Sequence, residues 1–431
     1  MPQDAAATTL GGSTTAAASG PILAADGVPL KAKLNEANRR RRLKALGLVV
    51  PLFAFIMVSF IIPIGIMLFR SVDNPTVEQY MPKTVAALER WDGEGLPDEF
   101  TFEAAAKEIK LMKFGQHVGK VGSRLNFEKG GMRSLFSKSG RKAGKIQHGP
   151  YKEALIKIDK RWKKRETWAT IKLIGQRYTP VNYLAAFDKR MDADGNVVDQ
   201  PEVRQIYKIL WLRTLWISLA VTVFCLLLGY PVAFLLATLP LKTSNLLMIL
   251  VLLPFWTSLL VRTTSWIVLL QAHGVINDLL VWMNFITEES RLRMIYNVQG
   301  TLIAMTQILL PFMVLPLYSV MKTIPPVYMR AAQSMGATPA WSWYRVYLPQ
   351  TIPGIGAGSL LVFILAIGYY ITPALVGGEN GTMISNFIAY HMKSSLNWGL
   401  AAALGTSLLV AVLVLYWLYD KVVGIDNMKM G

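Results

Sequence analysis

Six stretches of the chain are long, apolar and nearly free of charge: 45–69, 211–239, 246–270, 298–321, 355–376 and 398–419. Each is close to the roughly 20 residues that a helix needs to cross the hydrocarbon core of a bilayer. They predict six membrane-spanning helices, the third interrupted by Arg262. Proline recurs within the runs as Pro51, Pro63, Pro231, Pro254, Pro311, Pro316 and Pro373. Each removes a helix hydrogen bond that lipid cannot replace, which favours a bundle around a pathway over isolated anchors.

Outside the runs the pattern changes. Residues 1–38 are rich in Ala, Thr, Gly and Ser without apolar periodicity, so 1–44 is predicted as a disordered basic tail ending in Arg39–Arg42 and Lys44. A cleaved signal has a shorter apolar region nearer the N-terminus, so 45–69 is expected to be an uncleaved first span. Positive charge gathers in the tail, at Lys242, between 322 and 345, and at Lys421 and Lys429. The positive-inside rule then puts both termini in the cytoplasm of a multi-pass inner (plasma) membrane protein and residues 70–210 outside. Within that insertion, 107–165 holds 18 Lys and Arg against 4 acids. Long loops translocate largely regardless of charge, so the stretch does not reverse the topology. Residues 103–114 and 151–175 carry helical spacing, whereas 115–149, rich in Gly, Ser and Lys, reads as loop. The remainder, 211–425, is expected to be a core domain of five spans.

Composition narrows the function. Hydrophobic residues are 53% and charged residues 17%, so the net charge of +18 serves orientation and contact with lipid headgroups and not nucleic acid. The single cysteine, Cys225, excludes an intrachain disulfide and a cysteine metal site. Asp192-Ala-Asp-Gly-Asn196 opens like a calcium loop, but Val197 and Val203 stand where its turn glycine and bidentate glutamate belong. It reads as an acidic turn, and no metal is expected. No GxxxxGK[ST] phosphate loop occurs, and the four histidines have no ligand or triad spacing. No catalytic residues and no bound cofactor are expected.

The informative segment is 328–349, between the fourth and fifth runs and within a predicted cytoplasmic loop at 322–353. It reads as a short helix, a turn at Gly336, and a second short helix opened by Pro339 and ended by Pro349. The small residues Ala331 and Ala332 would admit close approach by a partner, and such an elbow suits a groove on that partner.

This segment resembles the EAA loop of ABC importer permeases, whose pattern is E-A-A, three residues, G, nine residues, I-x-L-P. Ala331, Ala332, Gly336, Leu348 and Pro349 match, while Arg330 replaces the glutamate and Val346 the isoleucine. Glu103-Ala-Ala has Ile109 in place of the glycine and does not fit. Further blocks resemble the spermidine/putrescine-type branch: Gly229-Tyr-Pro-Val-Ala-Phe, 254–266 around Arg262, Gly274-Val-Ile-Asn, Pro353-Gly-Ile-Gly-Ala-Gly-Ser, and Thr372-Pro-Ala-Leu-Val-Gly-Gly378. The resemblance covers about 180–425 and the first span, and excludes an insertion at 83–178. It implies an all-α, six-helix type I ABC importer permease that translocates a small solute. It also implies three kinds of partner: two cytoplasmic ATPases that use the ATP and dock on the elbow, a second permease, identical or paralogous, and an extracytoplasmic solute-binding protein. Possible pathway residues are Arg262, Tyr369 and Tyr370. Tyr369 stands where many relatives carry an acid, and a cationic Arg262 in the pathway would not favour a polyamine. The rival reading is a stand-alone channel or a secondary transporter, although no internal repeat supports the latter.

Overall fold

The structure is a computed structural model that describes residues 30–146 and 148–423. Chain contacts divide it into two units, one ending at Ile66 and one beginning at Met67. In the first, Leu30–Ile56 is helical and continues through a wide turn at Met57–Ile61. The helix therefore begins earlier than the expected tail boundary; residues 1–29 lie outside the described residues. A run of good helix formers from Leu30 to Lys44 (Leu, Lys, Ala, Glu, Arg) extends the apolar helix backwards into its basic flank. No side chain described between 44 and 66 is buried, as a helix that faces hydrocarbon requires.

The wide turn has an identifiable cause. The N–H of Ile62 reaches back five residues to the carbonyl of Met57, immediately before Pro63. A proline lacks the N–H for the usual bond, and its ring clashes with the carbonyl four residues earlier, so one looser turn relieves both. The same device recurs at Trp343–Tyr347, where Leu348 bonds Trp343 just before Pro349.

Among the described residues six helices are long and apolar enough to span a membrane: Lys44–Val72, Tyr207–Thr238, Leu259–Trp282, Val298–Thr323, Pro339–Gly368 and Trp398–Lys421. Their number matches the sequence reading, but two boundaries move. The expected third span broke at its own centre. Leu241–Leu252 runs into a tight turn at Leu253–Trp256 containing Pro254, and a new helix starts at Leu259, capped by Ser258 accepting from the N–H of Val261. The fifth span begins at Pro339, not 355, and stops at Gly368. Tyr369 and Tyr370 break it from a short helix, Ile371–Val376.

The second, fourth and fifth spans form the centre of the bundle, around Cys225, Leu309, Met313, Leu317, Val362 and Ala366. Glycines set their spacing. A Cβ on Gly358 would lie 2.7 Å from Sδ of Met313 and 3.2 Å from its carbonyl oxygen. One on Gly354 would lie 3.3 Å from the backbone of Pro316 and Leu317. This four-residue glycine spacing lets two backbones approach where dispersion, not exclusion of water, must hold helices together. Along the second span the inward face is Thr214, Ile217, Val221, Cys225, Gly229 and Ala233. The outward face, Leu212, Trp216, Leu219, Val223 and Leu227, is equally apolar and suits lipid.

The insertion has a core of its own. Trp162, Trp168, Phe102 and Phe136 are fully buried with Ile109, Leu125 and Leu135, and the two tryptophan rings lie 5.1 Å apart. Burial of each such side chain contributes about 1.5–3 kcal/mol. Residues 115–149, expected as loop, contain two helices, Val118–Glu128 and Met132–Lys142. Their buried residues are spaced three and four apart: Val121, Leu125, Met132, Leu135, Phe136 and Ser139. The basic residues between them mask the stripe in the sequence.

Glu103-Ala-Ala lies in this domain, with Ala104 and Ala105 buried and Glu103 paired to Lys107. Buried Glu108 accepts from the backbone N–H groups of Lys83 (2.7 Å) and Thr84 (3.0 Å), which caps the helix Pro82–Glu89 and satisfies its charge. Asp159 is held far below the ordinary carboxylate range by hydrogen bonds from Arg161. The acidic turn at 192–196 joins the antiparallel strands Lys189–Met191 and Val197–Asp199, and Asp194 pairs with Arg165.

Candidate functional site

The elbow is built as a helix, a glycine turn and a second helix. Val327–Ser334 ends where the N–H of Ala337 bonds the carbonyl of Ala332 (3.1 Å) and that of Gly336 bonds Gln333 (3.0 Å). This pair of bonds closes the helix end only if the residue between them is left-handed, and Gly336 has φ +92°. A Cβ there would meet nothing within 4 Å, so the glycine is needed for the backbone conformation and not for room within this chain. Thr338 then caps the next helix, its hydroxyl accepting from the N–H of Trp341, and Pro339 occupies the first turn. The threonine directly before the proline is a local capping signal carried by the sequence.

The second helix does not stop at Pro349 as expected. It passes through the wide turn at 343–347 and continues into the fifth span, so elbow and span are one continuous rod from Pro339 to Gly368. Pro349 is exposed and Leu348 half-buried. Arg330 and Ala331 are exposed, but Ala332 is buried against its own chain, so its small size serves internal packing and only Ala331 is open to approach. The surface of the elbow is markedly apolar: Val327, Tyr328, Trp341 and Tyr344 are about half exposed, and Met335 is 83% exposed. Arg345 lies over the ring of Trp341 at 5.1 Å.

Two helix breaks meet in the other half of the bundle. Arg262 is in the first turn of the helix that begins at Leu259. The next residue, Thr263, shares a 3.3 Å hydrogen bond with Thr372 just past the Tyr369–Tyr370 break, and Trp266 donates to Gln307 of the fourth span at 3.2 Å. Arg262 is within electrostatic reach of Tyr369, and its Nε and Nη1 are buried with no hydrogen-bond partner among the described residues. The break is held from Ile384–Lys393: Ser385 donates to the carbonyl of Tyr369 (2.5 Å) and Asn386 to that of Tyr370 (2.8 Å). The ring of Tyr370 lies under Lys393 at 5.5 Å. The Thr263–Thr372 bond thus sets the helix that carries Arg262 against the Tyr369–Tyr370 break, while Tyr370 pairs with Lys393. Ser385 and Asn386 had no signal in the sequence, because their role exists only once the fifth span breaks.

His391, near the same end, uses both ring nitrogens, Nε2 with the Tyr207 hydroxyl and Nδ1 with Ser395, each at 2.7 Å. Burial pulls its pKa down to about 4, so it is neutral at physiological pH.

Residues 208–423 match the family described as the binding-protein-dependent transport system inner membrane component. The chain belongs to this family. The match begins at the second span, so the first span and the insertion lie outside it. The spermidine/putrescine transport system permease protein PotB of Escherichia coli K12 is 35% identical over 215 residues, covering 49% of this chain and 78% of that one. The protein of the same name from Haemophilus influenzae is 34% identical over 229 residues, 52% of this chain and 79% of its own. The molybdenum transport permease ModB of Mycobacterium bovis is 29% identical over 192 residues, 44% and 70% of the two chains. Among solved structures, a bacterial ABC transporter that imports the acidic polysaccharide alginate overlaps with a TM-score of 0.38 at 20% identity, covering 51% of this chain and 80% of that one. This permease is therefore the inner-membrane component of an ATP-driven ABC importer that works with an ATPase and a solute-binding protein.

Proposed function

We propose that this permease carries a small organic cation of the polyamine class across the membrane, paired with a second permease and driven by two cytoplasmic ATPase subunits. The observation that carries the coupling role is the rod from Pro339 to Gly368. A partner that grips the apolar elbow pulls directly on a central helix of the bundle, so ATP-dependent closure of two ATPases would bias two states of the pathway. Arg330, Ala331, Gly336, Pro339, Leu348 and Pro349 would form or shape that contact, with Ala332 fixing the first helix to the second. One chain supplies six spans, which favours a second permease around a shared pathway. ATP would be bound and hydrolysed by the partner ATPases. Support for the solute class is the 35% identity to PotB, a spermidine/putrescine permease. Cells lacking this chain should lose uptake of labelled putrescine or spermidine and regain it on complementation. Unchanged polyamine uptake would remove the solute assignment and leave the permease assignment standing.

In this reading both termini are cytoplasmic and residues 73–206 face outward. Cys225 is buried, with its thiol on the carbonyl of Thr306 at 3.4 Å, and is the sole cysteine. Replacing it by alanine and placing a cysteine at the exposed Ser134 gives a single reporter on the insertion. An impermeant maleimide should label Ser134→Cys in whole cells whose outer membrane has been opened. Labelling only after the inner membrane is lysed would invert the topology.

A further inference from the structure

A polar cleft of about 1130 Å³ in the second unit lies between the insertion and the ends of spanning helices. Arg70, Lys120, Arg124 and Arg133 line it, together with Trp398, and Asp73 is the only acid among its lining residues. Asp73 is already paired with Arg177 at 3.3 Å. Arg124 is likewise engaged, by Glu128 at 2.9 Å and Asn74 at 2.7 Å. Arg70, Lys120 and Arg133 are exposed and have no ion-pair partner among the described residues. The cleft is thus built with positive charge in excess of what its own chain neutralises.

Its height relative to the bilayer follows from the elements that bound it. Arg70 is in the last turn of the first span and Trp398 is the first residue of the sixth, with the guanidinium 5.8 Å from the ring. Helix ends carrying arginine and tryptophan sit at the level of lipid headgroups. The position is also peripheral. The sixth span exposes Leu409, Val410, Leu413 and Val414, while the central core is formed by the second, fourth and fifth spans. A soluble solute bound here would be off the pathway. A lipid would reach the cleft directly from the bilayer.

We propose that this cleft holds the phosphodiester headgroup of an anionic phospholipid. Basic pockets at the ends of spanning helices recognise such headgroups through charge, and each Lys or Arg near the surface strengthens the attraction about fivefold. The site explains why a basic insertion belongs beside a membrane: its free cations meet phosphate where the first span emerges. The proposal goes beyond the transport reading. It rests on the chain spanning a membrane, not on its orientation or its solute.

The test uses the complete transporter purified in mild detergent, where orientation has no bearing. Native mass spectrometry would follow titration with phosphatidylglycerol, with phosphatidylcholine, and with inorganic phosphate alone. Phosphatidylglycerol should bind in preference to phosphatidylcholine. Combined Arg70→Gln, Lys120→Gln and Arg133→Gln should weaken that binding on the order of 100-fold without lowering ATPase co-purification. If the triple variant does not assemble, Lys120→Gln and Arg133→Gln singly should each weaken it about fivefold. Wild-type affinity for phosphatidylglycerol in assembled variants, or equal binding of phosphatidylcholine, would overturn the site. Displacement of the lipid by millimolar phosphate would assign the cleft to a soluble anion and overturn the lipid assignment.

Discussion

Gly336→Asp is expected to leave the permease in the membrane at its normal level, while abolishing solute uptake and ATPase co-purification. Two physical effects act together. The residue must hold φ +92° to close the helix end, and a residue with a Cβ is strained there by about 1–3 kcal/mol. The added carboxylate also projects into space that is empty within this chain, where the partner would dock, and burying it unpaired there costs several kcal/mol. Met329, Trp343 and Tyr347 of the elbow pack on the bundle core, but Gly336 is at the exposed tip with nothing within 4 Å of an added Cβ, so insertion and stability of the spans should not change. Gly336→Asn separates the two effects, because asparagine tolerates the left-handed region and carries no charge. It should retain more ATPase than Gly336→Asp or Gly336→Val. The measurement is pull-down of the ATPase together with uptake, normalised to the amount of chain in the membrane. Wild-type binding and transport by Gly336→Asp would remove the coupling role from this loop.

The mutation also tests what the sequence could say about the elbow. Gly336 and Pro339 are legible because turn and helix-start chemistry are local, and the spacing from Ala331 to Pro349 is fixed along the chain. The continuity of the rod was not legible. Pro349 looks like a helix stop, and only the wide turn at 343–347 lets the helix pass it. The same local logic hid the third-span break, where an unbroken apolar run conceals Pro254 acting with the Ser258 cap. The number of spans was readable because length and apolarity alone set the requirement of the bilayer. Which face of each span looks inward was not, because the lipid side, Leu212 and Leu219 for example, is as apolar as the core side. The insertion failed for the opposite reason. Its helices are short and basic, and their buried stripe of Leu125, Leu135 and Phe136 gains meaning only against Trp162 and Trp168 from farther along the chain.

Arg262→Ala is expected to reduce uptake by about tenfold or more, with partial recovery in Arg262→Lys. In the described chain two of the guanidinium nitrogens are buried without an acceptor. Such an orphaned charged donor costs on the order of 1–3 kcal/mol or more, so the group is expected to find its partner beyond this chain. Its position between the break before Leu259 and the break at Tyr369 puts it where the fifth span must move if the elbow transmits a stroke. The neighbouring bonds, Thr263 to Thr372 and Trp266 to Gln307, fix the helix and leave the arginine side chain as its unsatisfied element. For a cationic solute, a contact with Arg262 would be repulsive, so the acceptor is then the second permease or water lining the pathway. Uptake kinetics distinguish these cases. Loss of the maximal rate with little change in KM, together with weaker association of the second permease, places Arg262 at the subunit contact. A rise in KM with normal assembly places it on the solute, and that solute must then carry an anionic group, contrary to the polyamine assignment. Lysine restores the charge but not the planar fork, which is why rescue should be incomplete. Normal uptake in Arg262→Ala would mean that the side chain only snorkels to the membrane surface and takes no part in transport.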